Sequence, residues 1–556
     1  MTRPNNPPEY RTLRLGYPEF LNKKCPICGS FVKFIYSNNG KLVHCLDEDV
    51  HQIVNLYQCT NPDCILHNAK FNPIPRFDYS GRYFGKDVFN FIAEEFLKFK
   101  QNPNQIYIRL NDKTMVDISL DTVARICDDI LLLKANQIDQ NTREILAKND
   151  AVVIALDGQD PGKSKFALWL FTDIISGRLL AVRHFKSLNY IKLHDTIEEI
   201  KDALEINIIG FLSDKQGLIV KCMDTFYPEI PHQYCQFHFL NNHWKHLAAI
   251  DSGLYMTIKS VIQKLYIHIA NNSTTVKFEG IGKKSVREVY RAIDNDLQKI
   301  LRKSGKKFET LRGIWVYTTL REYVQKGMEI YAELNPEYRY SKILRKTLDA
   351  LTSILKDTEQ QFLDISEGFQ YFLRIKKVLS SEQSFKAEKM HSLDGIYKEI
   401  WIKVKNSGSY LEPEDLKAIS VKKIRPYEEI LGEWVRLWLS YLPGLFKYYE
   451  FPIETRSNVE QERAFGWEKQ QFFARAAKKN VSHLVVTRGP YYLRLFYSTP
   501  EEASSSPLPY YQDEIVRQMR GELDNIISVS TEGWLNKPII LEGFNLSQRS
   551  YYLMGE

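Results

Sequence analysis

The sequence predicts a mixed α/β protein of several domains, and three observations lead to this fold class. Two close pairs of cysteines lie within the first 80 residues. Between residues 151 and 250, short apolar runs that suit buried strands alternate with helical patterns. From 251 to about 430, apolar residues recur with a helical period, which predicts a long all-helical segment. A chain of 556 residues exceeds the size of one hydrophobic core and suggests roughly three or four domains.

The composition is typical of a soluble, intracellular protein. Hydrophobic residues make up 44% of the chain and charged residues 26%, which excludes wholesale disorder. No apolar run approaches the roughly 18 residues of a membrane span, and the first residues contain no apolar secretory signal. Lys and Arg number 75 against 68 Asp and Glu, and the net charge of +7 permits nucleic-acid binding. Eight cysteines in so long a chain favour metal binding in a reducing compartment over a disulfide scaffold.

The first domain, residues 1–80, is predicted to be a zinc ribbon. Its candidate ligands are two close pairs of cysteines about thirty residues apart: Cys25, Cys28, Cys59 and Cys64. Each pair lies on a predicted turn, strand-like sequence lies between them, and four thiolates complete a tetrahedral zinc site. The metal would supply folding free energy to a segment with few apolar residues. His67 or Cys45 could replace one ligand, and the ribbon could bind DNA or another protein.

Residues 81–145 are predicted to form a helix-turn-helix-like DNA-binding domain. Apolar residues recur at helical spacing from Val88 to Leu97. A second helix is predicted to begin at Ser119, a favourable N-cap residue. Its first turn is polar, as in the recognition helix of such a motif.

Residues 146–250 are predicted to form the strands and helices of a sheet-containing core. The first strand is expected to end at Asp157 and the fourth at Asp214. If these strands are neighbours, both carboxylates lie at one edge of the sheet. Hard oxygen ligands suit Mg²⁺ or Mn²⁺, and with a third acid they can hold two ions for in-line phosphoryl displacement. Taken singly, either aspartate is explained as a turn residue.

The order of these elements resembles that of transposases of the RNase H-like DDE superfamily, in particular the Mutator-like group and its bacterial insertion-sequence relatives. The resemblance is carried by an Asp that ends the first strand, a second Asp before a short helix, and the C-x-x-H element Cys235-Gln-Phe-His238. It covers roughly residues 150–250 and 450–480. It implies an RNase H-like catalytic core that cleaves DNA and joins strands.

The resemblance also implies how the core is divided along the chain. Such enzymes place a large all-α insertion between the second Asp and a catalytic Glu. The predicted domains are the zinc ribbon at 1–80, the helix-turn-helix-like domain at 81–145, the first part of the core at 146–250, the helical insertion at 251–430, the second part of the core with the Glu helix at 431–500, and a C-terminal tail at 501–556.

By the resemblance, the third acid is assigned by the family pattern, which is approximately T-N-N-x-x-E-x-x-F/N with a lysine one turn later. Alignment of Asn458 with the first Asn of the pattern identifies Glu462, and Lys469 follows it by seven residues. Glu460 is the alternative, because Val459 departs from the pattern.

By the resemblance, the three acids are catalytic and bind Mg²⁺ or Mn²⁺, and His238 contacts DNA or the scissile phosphate. A buried structural histidine is the alternative for His238. Because phosphate contacts supply most of the affinity for DNA, the candidate DNA-binding residues are the basic side chains near the glutamate: Arg463, Lys469, Arg475, Lys478 and Lys479.

The sequence therefore predicts a DNA transposase that binds the terminal inverted repeats of a mobile element, cleaves its ends and joins the 3′-hydroxyls to target DNA. Its partner would be double-stranded DNA, on which it would act as a homodimer or higher oligomer. It would work without a membrane, in the cytoplasm at the nucleoid of a prokaryote or in the nucleus of a eukaryote. The alternatives are an RNase H-like nuclease without strand transfer, a domesticated transposase that acts as a DNA-binding regulator, and a ribbon that serves protein interaction.

Overall fold

A computed structural model describes most of the chain as a mixed α/β structure in which helices predominate, with two mixed sheets and a cysteine cluster near the N-terminus. The described residues are 10–17, 23–79, 82–114, 116–149, 151–159, 167–274, 295–301, 311–337, 339–381, 385–406, 426–452, 455–476, 482–510, 516–521 and 523–524. The chain divides into two units. Met1–Ile230 and Asn458–Glu556 form the first, and Pro231–Ser457 forms the second.

The N-terminal part of the first unit contains a small sheet built around one long strand. The strands are β1 (Arg11–Leu15), β2 (Val32–Ser37), β3 (Lys41–His44) and β4 (Asp49–Cys59). β4 pairs in parallel with β1 and antiparallel with β2 and β3. Strands are therefore present in both strand-like segments that the sequence places between the two cysteine pairs.

Three helices and a π-helical turn follow this sheet. They are α1 (Lys86–Ala93), the π-helical turn Glu94–Lys98, α2 (Pro103–Lys113) and α3 (Leu120–Leu146). The start of α3 is as predicted, since the Ser119 side chain accepts a hydrogen bond from the Thr122 N–H. The sequence did not predict α2, and α3 is longer than expected because its second half is buried against the rest of the unit.

The second sheet of the first unit closely follows the predicted order of elements. These are β5 (Val152–Gln159), β6 (Ala167–Asp173), β7 (Arg178–Phe185), α4 (Tyr190–Leu204), β8 (Ile208–Ser213) and α5 (Gly217–Phe226). Within this unit the strands lie in the order β7-β6-β5-β8, and β5 is antiparallel to β6 but parallel to β8. The two faces of the sheet contribute to separate apolar clusters, so its strands are buried on both sides.

The second unit is almost entirely helical over its described residues. It begins with the short strand β9 (His232–Tyr234), and its long helices are α6 (Gln236–Thr274), α7 (Arg312–Ala332), α8 (Arg339–Asp357), α9 (Glu359–Ser380), α10 (Lys386–Asn406) and α11 (Pro426–Tyr441). Buried polar side chains join these helices. The Asp251 carboxylate accepts the N–H groups of Gly313 and Ile314 at 2.8 and 2.9 Å, which caps the start of α7.

The chain then returns to the first unit with α12 (Val459–Ala476), α13 (Ser482–Phe496) and the short α14 (Pro500–Ser504). Arg488 of α13 forms a bidentate ion pair with Asp128 of α3 at 2.8 and 2.9 Å. Lys134 of α3 is buried and donates to Ser505 at 2.8 Å. The start of the predicted C-terminal tail therefore packs into the unit at Ser505. Residues 525–556 of the predicted tail lie outside the described residues.

None of the described helices combines the length and the apolar character that crossing a membrane requires.

Candidate functional site

The four predicted cysteine ligands of the N-terminal sheet lie together. Their sulfur atoms are all within 4.8 Å of one another. The Sγ atoms of Cys25 and Cys64 are 3.8 Å apart, and those of Cys28 and Cys59 are 3.4 Å apart. Four sulfurs placed tetrahedrally about 2.3 Å from a zinc ion would be separated by about 3.8 Å. The cluster, which joins each cysteine of one pair to a cysteine of the other, could bind a metal ion such as zinc.

Tight turns bring the sulfur atoms of the cysteine cluster together. The N–H of Gly29 donates to the carbonyl of Cys25, and Gly29 has a φ of 70°, which a residue with a Cβ rarely adopts. The Asn61 N–H points at the sulfur of Cys59 at 3.4 Å. The Ser30 hydroxyl lowers the pKa of the Cys28 thiol to about 6, and the thiolate is the form that binds metal.

The two alternative ligands are not part of this cluster. Cys45 lies in a separate apolar cluster, where burial and then the charge of Asp87 raise the pKa of its thiol to about 12. The Nδ1 atom of His67 is 3.0 Å from the carbonyl oxygen of Cys59. The ligand set is therefore the two cysteine pairs that the spacing predicts.

The strands that carry or precede the two aspartates are parallel neighbours, which is the condition under which both carboxylates were expected at one edge of the sheet. β5 and β8 pair so that Leu156 lies opposite Ser213, and the next residue on each chain is Asp157 or Asp214. The expected end of the first strand at Asp157 is wrong, since β5 continues to Gln159. It continues because β6 keeps pairing with it. Asp157 is therefore a strand residue, and its explanation as a turn residue fails.

The glycine after Asp157 is required by packing. A Cβ atom at Gly158 would lie 2.6 Å from an indole carbon of Trp169, the residue opposite it on β6. The Asp-Gly pair therefore reflects close packing of the strands. The Gly158 N–H also donates a hydrogen bond to the Asp157 carboxylate at 2.9 Å.

The carboxylate of Asp157 is buried, with 5% of the residue exposed, and it lies within electrostatic reach of two other acids. Burial, followed by the negative charges of Asp214 and Glu462, raises its pKa to about 8. Asp157 is thus within electrostatic reach of the two other predicted acids, of which Asp214 is half-buried and Glu462 is exposed. We call the three residues the carboxylate cluster (Asp157, Asp214 and Glu462). Among the described residues, the side chains placed closely enough to share one metal ion are the four cysteines. The Asp214 carboxylate also accepts the side-chain amide of Gln216 at 2.9 Å.

Glu462 and its alternative, Glu460, have different surroundings in the first turn of α12. Glu460 is exposed and forms an ion pair with Arg463 at 3.0 Å. It is not among the charges that raise the pKa of Asp157, whereas Glu462 is. Both glutamates are exposed, so the observation that favours Glu462 is the effect of its charge on Asp157, and its role as the third acid stays a prediction.

The residue between these two glutamates anchors the helix, and sequence reasoning missed it. Gln461 is 1% exposed, and its side-chain amide donates to the carbonyl of Ala155 at 2.8 Å and to the hydroxyl of Thr172 at 3.0 Å. Ala155 lies two residues before Asp157 on β5. Gln461 therefore holds the start of α12 on the strand that carries Asp157. Its recurrence with Ala464, Phe465 and Phe472 at helical spacing is the sequence signal for a buried position.

Tyr497 is a second residue that sequence reasoning missed. Its buried hydroxyl has no hydrogen-bond partner among the described residues. Burial, followed by the charges of Glu460 and Asp157, raises the pKa of this phenol well above its usual value. The hydroxyl is thus a neutral hydrogen-bond donor within electrostatic reach of the carboxylate cluster.

The remaining predicted site residues are spread over several regions. His238 lies in the first turn of α6, in the second unit. Arg463 is exposed and ion-paired, and Lys469 is half-buried on α12. Arg475 belongs to α12, but its side chain lies outside the described residues, as do Lys478 and Lys479 altogether.

No protein-family model and no curated protein matches this chain. Its chemistry is therefore argued from the geometry of the two clusters.

Proposed function

We propose that the protein is a DNA transposase with an RNase H-like DDE catalytic core, which cuts the ends of a mobile element and joins their 3′-hydroxyls to target DNA. The observation that carries this proposal is the carboxylate cluster. Asp157 lies on β5, Asp214 directly follows the adjacent parallel strand β8, and Glu462 lies in the first turn of a helix much later in the chain. This arrangement of hard oxygen ligands suits phosphoryl transfer.

We propose that a divalent cation binds at the carboxylate cluster. Without a cation, mutual repulsion and burial keep the pKa of Asp157 near 8, so a positive ion would relieve an unfavourable arrangement of charge. Bound Mg²⁺ or Mn²⁺ would polarise the scissile phosphate and favour deprotonation of the attacking hydroxyl or water. Asp157, Asp214 and Glu462 would hold the cation.

The course of the chain agrees with an interrupted catalytic core. The sheet that carries the aspartates and the helix that carries Glu462 belong to one unit, although residues 231–457 lie between them in sequence. That intervening unit is helical over its described residues, which supports its proposed role as the insertion of an RNase H-like transposase. The ribbon would then bind the terminal repeats, and two chains would hold the two ends.

The direct test is metal-dependent nicking of DNA that carries the flanking repeats. We expect activity with Mg²⁺ or Mn²⁺, and its loss in Asp157→Asn, Asp214→Asn and Glu462→Gln. Glu460→Gln is the matched control, because it removes one carboxylate from the same helical turn and should retain cleavage. If Glu460→Gln alone among the glutamate variants is inactive, the assignment of the third acid is wrong.

A second assay separates transposition from simple cleavage. Pre-cut ends with free 3′-hydroxyls are mixed with target DNA, and joined products are measured. Joining supports the transposase. Cleavage without joining would identify a nuclease, and tight repeat binding without cleavage in either metal would identify a regulator.

A further inference from the structure

One face of β2 exposes two aromatic rings and a lysine. β2 is an edge strand that pairs only with β4 among the described strands. Phe31, just before the strand, is 65% exposed and Tyr36 is 44% exposed. Lys33 lies between them and is also exposed. Large exposed rings on a short edge strand mark an interaction surface.

The pairing register places these side chains on the same face. Lys33 lies opposite Gln58, and the N–H of Thr60 donates to the carbonyl of Phe31 at 3.1 Å. Opposed residues of an antiparallel pair share a face, and residues two apart on β4 share it as well.

A bulge in β2 brings Tyr36 to this face. The register shifts between Phe34 and Tyr36, so that Tyr36 lies opposite Leu56. Without the shift, Tyr36 would be on the same face as Phe34, whose ring packs against the buried Tyr57. The amino group of Lys70 lies 5.1 Å from the centre of the Tyr36 ring. We call the set Phe31, Lys33, Tyr36 and Lys70 the aromatic face.

We propose that the aromatic face binds unpaired DNA bases by stacking on its two rings, while its two lysines contact the phosphates. Rings that alternate with cations are what single strands require, because every base has a π-face and every linkage a charge. The acids Asp47 and Glu48 lie in the turn between β3 and β4, and Asp49 begins β4, at the end of that strand away from its pairing with β2. Paired duplex bases are stacked on each other and offer no face to these rings. The proposal relies on the proposed function only in naming DNA rather than RNA.

The test measures binding of the full-length, zinc-loaded protein to a fluorescent 15-nucleotide single strand and to the duplex of the same sequence. We expect Phe31→Ala and Tyr36→Ala each to weaken single-strand binding roughly tenfold, and the double variant more. Phe31→Trp should retain binding. Duplex binding should change less than about twofold. The zinc content of every variant is measured to verify that the ribbon is folded.

The matched control is Phe99→Ala. Phe99 is 50% exposed and has the amino group of Lys98 5.3 Å from its ring centre, but it lies outside the ribbon. The Phe99→Ala variant should bind the single strand like the wild type. The proposal would be overturned if the double variant bound the single strand as tightly as the wild type does. It would also be overturned if the variants lost as much affinity for the duplex as for the single strand. Failure of the wild type to bind the single strand would also overturn it and leave a protein partner as the occupant. The Asp157→Asn variant should still bind the single strand. If the wild type binds the single strand but does not cleave DNA, only the proposed function is refuted.

Discussion

The cysteine cluster and the carboxylate cluster are two groups of metal-type ligands assembled in different ways. All four cysteines lie between residues 25 and 64, on turns of one small sheet. The carboxylate cluster joins residues 157 and 214 to residue 462, with a separate helical unit between the last two. Local spacing therefore suffices to identify the first site, whereas the second exists only when distant elements pack correctly.

The two clusters also differ in their dependence on charge. Soft thiolates on tight turns suit a closed structural site, which contributes to folding. In the carboxylate cluster, burial of Asp157 and the negative charges of its two neighbours destabilise the fold until a cation or a proton neutralises them. Metal binding at the cysteine cluster should therefore stabilise the fold. The carboxylate cluster should lower stability but favour binding of a reactive cation.

The largest effect is expected from breaking the cysteine cluster. Cys59→Ser should remove one zinc ion per chain and unfold the ribbon, because zinc binding supplies about 10 kcal/mol or more in small structural sites. Metal content by mass spectrometry and protease sensitivity of the first 80 residues measure the effect. Cys45→Ala is the control, since this buried thiol lies outside the cluster and its loss should leave the zinc bound. Loss of zinc from the control would show that the ligand set is wrong.

The next effect concerns Asp157 and pH. Its pKa is raised to about 8 in the fold, so the folded protein retains a proton that the unfolded chain loses above about pH 4. Stability without divalent ions should therefore fall as pH rises from about 4 to about 8. Asp157→Asn should remove that loss and be roughly 2–4 kcal/mol more stable at pH 7.5. Denaturant unfolding against pH measures this, and Mn²⁺ should stabilise only the wild type. An unchanged pH slope in the variant would contradict the burial of this charge.

A smaller effect is expected at Glu468, a buried acid outside the carboxylate cluster. Burial raises its pKa to about 8, and both its oxygens lack hydrogen-bond partners among the described residues. Because the fold raises its pKa, as it does for Asp157, the free energy of unfolding should fall as pH rises from about 4.5 to about 8. Glu468→Gln should stabilise the protein at pH 7 by roughly 1–3 kcal/mol. In contrast to Asp157→Asn, it should leave Mn²⁺ binding unchanged. A parallel loss of Mn²⁺ binding would place Glu468 in the site.

The smallest effect tests how the carboxylate cluster is held together. Gln461→Leu removes the two hydrogen bonds to Ala155 and Thr172, which together contribute about 1–2 kcal/mol. A less well-fixed Glu462 should also weaken Mn²⁺ binding roughly tenfold, as measured by calorimetry. Gln470→Leu, at an exposed position of the same helix, should change neither quantity. If both variants bind Mn²⁺ like the wild type, Gln461 has no positioning role.

Much of the fold was predictable because its signals are local. Apolar runs predicted the strands of the second sheet closely, and the polar cap at Ser119 predicted the start of α3. The helix α2 was missed, since its mean hydropathy is low and its face is narrow. α3 was predicted too short because its polar C-terminal half is stabilised by partners that lie far away in sequence, such as Arg494, which pairs with Asp139.

The sequence by itself determined the ligands of the cysteine cluster and the two aspartates, because spacing within one segment controls which side chains share a turn or a strand end. Only the tertiary structure decided between Glu460 and Glu462. Both lie in the first turn of the same helix, and the choice depends on how that helix rotates against β5. Gln461 determines that rotation through bonds to residues about 300 positions away, as at Ala155 and Thr172. The helical spacing of Gln461 indicates that it is buried but not what it contacts, so the sequence leaves Glu460 as an alternative and the folded chain favours Glu462.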